Sequence, residues 1–163
     1  DGSQPHNTLP IVWNWAFLES NKSVGENDSN MTAMTVLRHA GIVFAFNSSV
    51  WDKFKLGELV SFNDNQTGKP SLRNTVYEPM EGDMPLPPIQ GIKDLQSRGS
   101  MFCVCDLATR VYGSAVASKM NLDPDDVYAE MIEGILPGIK LVPSGVMALG
   151  RAQNENCAYI FAG

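Results

Sequence analysis

Residues 100–120 read SMFCVCDLATRVYGSAVASKM. The apolar run from Ser100 to Cys105 is short enough for a buried strand. From Leu107 to Met120 apolar residues recur at the spacing of an amphipathic helix. A strand thus passes directly into a helix at Cys105-Asp106. On the upstream side, Ile89 to Arg98 reads as a helix closed by Gly99 in the C-cap position. Downstream, Asp123 caps a helix that Pro124 opens and that runs to about Gly134. Ile139 to Val142 is then a strand, Ser144 to Asn154 a helix and Cys157 to Phe161 a last strand. Alternation at this spacing predicts an α/β fold, a parallel sheet with helices on both faces.

The first half is less regular. From Leu9 to Lys22, Ile11, Val12, Trp15 and Leu18 fall at helical spacing, and the polar stretch from Ser23 to Asn30 reads as a loop. Met31 to Leu37 is a short buried strand ending at Arg38-His39. A helical stretch follows, capped by Asn47 or Ser48, with Val50, Trp51 and Phe54 on one face and a stop at Gly57. Asn63 to Gln90 is polar and holds five of the ten prolines, a long irregular excursion within one domain spanning 1–163.

With 163 residues, 44% of them hydrophobic, the chain can bury a core without staples. A net charge of −6 and a pI near 4.8 exclude the cationic footprint of a nucleic-acid binder. No apolar run approaches the roughly 18 residues that span a bilayer. The sequence opens on Asp1, so either a targeting segment was removed ahead of it or the sequence is trimmed. Asn21, Asn27, Asn30, Asn47 and Asn65 each begin an N-x-S/T triplet, where this composition gives about one by chance. Together these favour an exported protein, periplasmic or extracellular.

Three cysteines make no disulfide framework in a chain of this size. Cys103 and Cys105 point to one face of a strand with parallel Cβ vectors, a poor geometry for a mutual disulfide. C-x-C without a second pair is too short for a zinc site, so neither metal nor cofactor is expected. Cys157 reads as core.

Ligands of such sheets bind beyond the carboxyl ends of the strands. Arg38-His39, Cys105-Asp106 and Pro143-Ser144-Gly145 all fall there and are expected to converge on one edge. Cys105 precedes a helix whose amides and dipole favour a thiolate, while Asp106 opposes this unless its carboxylate turns outward. His39 can orient or deprotonate a thiol or a bound sulfur species, and Arg38 can hold an anion. The Ser144-Gly145 turn offers free amides to an anion or is simply a good N-cap. It lacks the glycine patterns of dinucleotide and P-loop sites and the G-x-S-x-G elbow of hydrolases.

The run from Ile135 through Pro143-Ser144-Gly145-Val146, then Arg151-Ala152-Gln153 and Cys157-Ala158-Tyr159-Ile160, resembles the closing strand, helix and strand of the DsrE/DsrF-like superfamily. Phe102-Cys103-Val104-Cys105 resembles the strand that carries the sulfur-relay cysteine of its catalytic members. Val36-Leu37-Arg38-His39 and the stretch from Trp51 to Glu58 look like an exported, uncharacterised branch that often carries a twin-arginine leader. The resemblance covers about Met31 to Gly163 and is most specific in roughly the last 65 residues. It implies a Rossmann-like fold, assembly as trimers or hexamers, and in some members persulfide transfer. The chain departs from that pattern in showing no first strand ahead of the Leu9 helix and in the length of its Asn63–Gln90 excursion.

The expected function is therefore sulfur handling, with Cys105 accepting and passing on a sulfane sulfur. His39, Arg38, Asp106, Ser144 and Gly145 would surround it. Its rival is a non-catalytic subunit of an exported assembly, a redox complex or filament, with the Leu9 helix, the proline-rich arm and Trp13, Trp15 and Trp51 as contact surfaces. A third reading is a small-ligand or metal binder using the same cleft.

Overall fold

Met34–Leu37 (β1), Met101–Cys105 (β2) and Ile139–Val142 (β3) form a parallel sheet in the order β1-β2-β3. The structure is a computed structural model and describes residues 1–162. Its helices are α1 (Leu9–Ser23), α2 (Ser48–Lys53), α3 (Leu56–Leu59), α4 (Ile92–Ser97), α5 (Asp106–Met120), α6 (Pro124–Glu133) and α7 (Gly145–Asn154). Leu37 pairs with Val104 and Cys105 with Val142, so the three carboxyl ends finish level. The chain is mixed α/β, with a small parallel sheet flanked by helices.

Successive strand residues face opposite sides. Thr35 turns to α1, where its hydroxyl accepts from the Asn14 amide at 3.0 Å while the Asn14 carbonyl accepts from Ser100 at 2.7 Å. Val36, on the other face, lies against the start of α7, where a Cβ on Gly145 would come within 3.3 Å of it. The three buried groups of the Asn14 network satisfy one another, which removes most of the penalty for placing them in the core.

Helix ends follow the local chemistry. Asn47 accepts the Val50 N–H at 3.0 Å to start α2, and Asp123 accepts from Asp125 and Asp126 to start α6. Gly99, at φ 95°, closes α4 in a Schellman motif, with Gly99 N–H on Gln96 and Ser100 N–H on Leu95. The strand expected from Met31 begins at Met34, and two helix boundaries also differ from expectation. The chain does not stop at Gly57, which lies inside the four-residue α3, and α4 begins at Ile92 rather than Ile89 because residues up to Gly91 belong to the preceding turns.

Two further features concern the sheet edge. Among the described residues no strand precedes α1; Gly2 forms a single parallel bridge to Leu37. Its N–H donates to Val36 and its carbonyl accepts from Arg38. The strand expected at Cys157–Phe161 does not form. Cys157 N–H donates back to the Ala152 carbonyl of α7, and beyond it the segment is tied to Asp1, whose ammonium donates to Ile160 and whose carbonyl accepts from Ala162. Its partner segment is too short to extend a ladder, because the chain turns away through Pro5, which has no N–H.

Residues 39–46 are the element the pattern missed: a 3-10 helix, His39–Ala45, buried throughout Ala40–Ala45. The excursion after Asn63 has no helix or long strand before Ile92 but is held from within. Arg73 donates to Asp64 at 2.6 Å and to both oxygens of Asp83 at 2.6 and 2.7 Å. Asn74 donates to the carbonyls of Phe44 and Phe46, pinning the excursion to the 3-10 segment. Trp51 is fully buried against Phe44 and Phe62, so it belongs to the core and not to a contact surface. Trp13 remains exposed.

Candidate functional site

Cys105 is both the last residue of β2 and the N-cap of α5. The apolar strand drives the chain into the core, and the helix begins at once because the Cys105 sulfur accepts the Ala108 N–H at 3.3 Å. Thr109 then donates to the Cys105 carbonyl at 2.9 Å. The sulfur therefore occupies the position an Asp or Ser oxygen usually takes, facing orphan amides at the positive end of a 15-residue helix. Cys105 is only 5% exposed.

Asp106 turns its carboxylate towards α6. It accepts from the Tyr128 hydroxyl at 2.6 Å and from Arg110 at 3.2 Å, and the Arg110 guanidinium lies 3.9 Å from the Tyr128 ring centroid. The hydrogen bond to Asp106 raises the Tyr128 pKa. A nearby cation and a donor thus engage the negative charge that opposes a Cys105 thiolate.

Cys103 shares the face of Cys105 but has no such donor. Burial pushes its thiol up to about 11, and the neighbouring Cys105 adds to the effect. It stays protonated at neutral pH. Cys157 is half-buried beyond α7, outside the core expected for it.

The strand-end segments do converge. The Leu107 N–H donates to the Pro143 carbonyl at 3.4 Å, joining the start of α5 to the turn before α7. A Cβ at Gly145 would sit 2.7 Å from the Arg38 Cβ. Gly145 is therefore required for α7 to seat on β1, a packing role. Ser144 occupies the N-cap of α7 without a side-chain cap bond.

Arg38 is not an open anion site. Its Nε and terminal nitrogen each donate at 2.8 Å to the Asp1 carboxylate, which also accepts from the Tyr159 hydroxyl at 2.7 Å. The anion Arg38 holds is the chain's own. The α-amine of Asp1 is shifted down, chiefly by burial and then by Arg38.

His39 adopts φ 49°, and its Nδ1 lies 3.1 Å from the Gln4 amide nitrogen and 3.2 Å from the Tyr112 hydroxyl. Its ring meets Tyr112 edge-on. Gln4 Nε2 can only donate, so with the amide in this orientation Nδ1 accepts and the ring proton sits on Nε2. That arrangement suits His39 as a hydrogen-bond donor and leaves Nδ1 unavailable as a base. Among the described residues, no hydrogen bond links His39 to Cys105.

Asp1, Gln4, Tyr112 and the Arg110–Tyr128 pair escaped the sequence reading. Tyr112 had a usable signal, since it lies two helical turns beyond Cys105 on the same side of α5. Asp1 and Gln4 had none, because their neighbours come from distant parts of the chain. Among the described residues, no three His, Cys, Asp or Glu side chains are grouped to hold a metal, and no helix is long and apolar enough to cross a membrane.

Comparison of the chain with protein-family models, with curated proteins and with solved structures finds no match.

Proposed function

We propose that the chain is an exported sulfane-sulfur carrier whose working group is Cys105, in keeping with its resemblance to the DsrE/DsrF-like superfamily. The observation that carries this reading is the N-cap position of the sulfur, with the Ala108 N–H aimed at it and the Asp106 charge drawn off to Arg110 and Tyr128. Amide donors and the helix dipole stabilise a thiolate, and they stabilise the anion of a persulfide equally well.

The chemistry balances without an external oxidant. The Cys105 thiolate attacks the outer sulfur of a donor persulfide R–S–SH. A new S–S bond forms at Cys105 as the donor's S–S bond breaks, and R–S⁻ leaves. An acceptor thiolate then removes the same sulfur and restores the Cys105 thiolate. His39 would donate from Nε2, and the first amides of α7 at Ser144-Gly145 would face the anion.

The test is intact-mass analysis after incubation with glutathione persulfide, followed by peptide mapping. In a Cys157→Ser background, the parent and Cys103→Ser gain one sulfur that reduction removes, and Cys105→Ala gains none. Loading that persists on Cys105→Ala overturns the reading. Circular dichroism of each variant separates lost chemistry from lost fold.

A second reading, an accessory subunit of an assembly, is favoured by the exposed apolar run Tyr159-Ile160-Phe161 together with Val146 on α7. Trimers or hexamers on size-exclusion light scattering support it. A monomer without partners at micromolar concentration rejects it.

A further inference from the structure

The turn leading into α1, whose Gln4 also touches His39, faces residues 60–63, Asn65 and the excursion across a cleft of about 740 Å³. That volume lies within the range of small-molecule sites. Thr8 belongs to the wall of the cleft, is 3% exposed, and its hydroxyl has no hydrogen-bond partner among the described residues. A buried hydroxyl left unpaired costs about 1–3 kcal/mol. As the N-cap of α1, Thr8 has an obvious use for that oxygen, yet its backbone lies at φ 70° and the side chain makes no cap bond.

Four of the eight non-glycine residues at positive φ among the described residues line this cleft. His6, Asn7 and Thr8 are consecutive non-glycine residues at φ 38°, 51° and 70°, and Ser61 opposite them is at φ 53°. Each L-residue held in that region costs of order 1–3 kcal/mol, and such positions gather where ligands are clamped.

The lining specifies the ligand's chemistry. Among the described residues that form the walls there is no Lys or Arg, and the exposed imidazole of His6 is the one basic group, so an anion finds no permanent cation to pair with. The carboxylate of Asp83 is already saturated by Arg73, so a cation finds no free negative charge. Beside His6, Ser61 and the apolar side chains of Val60 and Phe62, the polar lining is a set of carboxamides. Those of Asn7 and Asn63 make no side-chain bond among the described residues. Those of Gln4 and Asn65 spend their nitrogens on His39 and on the carbonyls of Gly82 and Asp83, which leaves their oxygens as acceptors. A carboxamide sets a donor beside an acceptor, the complement of two adjacent hydroxyls. We propose that this cleft binds a neutral, hydroxyl-rich ligand of the saccharide class, with Thr8 at its floor and the carboxamides of Asn7 and Asn63 on its rim.

The test is a ¹H–¹⁵N chemical-shift titration of the full chain with D-glucose and N-acetyl-D-glucosamine, using glucose 6-phosphate and glucosamine as charged comparators. A neutral sugar is expected to shift the amides of Asn7, Thr8 and residues 61–65. Thr8→Val should weaken that binding at least fivefold without lowering the melting temperature, since it removes an unpaired hydroxyl and keeps the shape. Asn63→Leu, on the exposed rim, should weaken it comparably and guards against a folding defect in the first variant. Absence of shifts in the cleft at tens of millimolar sugar overturns the proposal. So does tighter binding of glucose 6-phosphate, or affinity unchanged in both variants.

Discussion

Cys103 and Cys105 lie two residues apart on one strand, are equally buried, and differ in what their sulfurs meet. Burial holds the proton on Cys103 against the pull of the nearby Asp1 ammonium, while the Cys105 sulfur meets a backbone donor. Native iodoacetamide labelling near pH 8 should therefore modify Cys157 first, Cys105 more slowly and Cys103 only on unfolding, an order readable by peptide mass mapping. Labelling of Cys103 ahead of Cys105 would remove the basis for proposing Cys105 as the working group. Gly145 supplies a second prediction at this scale. Its absent Cβ would lie 2.7 Å from the Arg38 Cβ, an atom that no side-chain rotation can move away. Gly145→Ala should cost about 1–3 kcal/mol of stability in urea denaturation. The sequence marked Gly145 as part of an amide turn at a strand end. It could not mark the close approach, which depends on a neighbour from β1.

Among the elements, those with a period or a cap were legible, and those defined only by their neighbours were not. The α4 terminus was announced by Gly99, and the structure shows why: a left-handed residue lets two amides reach back to Leu95 and Gln96. Gly99→Ala leaves open space around the new Cβ but forces an L-residue to φ 95°. It should lower stability by about 1 kcal/mol, checked by thermal melts, with little change at the cysteine site. His39–Ala45 carried no such signal, because an unbroken apolar run has no polar face from which to read a period. The tail failed for the opposite reason. Residues 157–161 have a strand's composition, but strand formation needs a partner ladder, and only Asp1 is there to pair with.

For the whole molecule the least legible feature is the clamp that holds the excursion. Polar, proline-rich sequence predicts an irregular path, and nothing local shows that Arg73 gathers Asp64 and Asp83. Hydrogen bonding to Arg73 holds the Asp64 carboxyl below its usual value. At Asp83 burial pushes the other way, and Arg73 together with the Met80 N–H outweighs it. Both folded values lie below the unfolded ones. The stability they contribute is thus fully present above about pH 4, the unfolded carboxylate value, and is lost as pH falls through the folded values. Arg73→Met reverses this sign at Asp83, which is only 1% exposed. Burial, the largest influence on its carboxyl, is then opposed only by the Met80 N–H and the Gln66 amide, and the folded value rises above the unfolded one. At Asp64 the backbone N–H groups of Gln66 and Thr67 remain. At pH 7 the variant should be about 3–5 kcal/mol less stable than wild type, the cost of stranding a buried charge. Between pH 7 and pH 5 urea denaturation should show the variant recovering stability as Asp83 takes up a proton, while this triad contributes no loss in the wild type. A variant that loses stability in parallel with wild type over that interval would mean that the excursion is held by Asn74 and its apolar contacts, with the charges incidental.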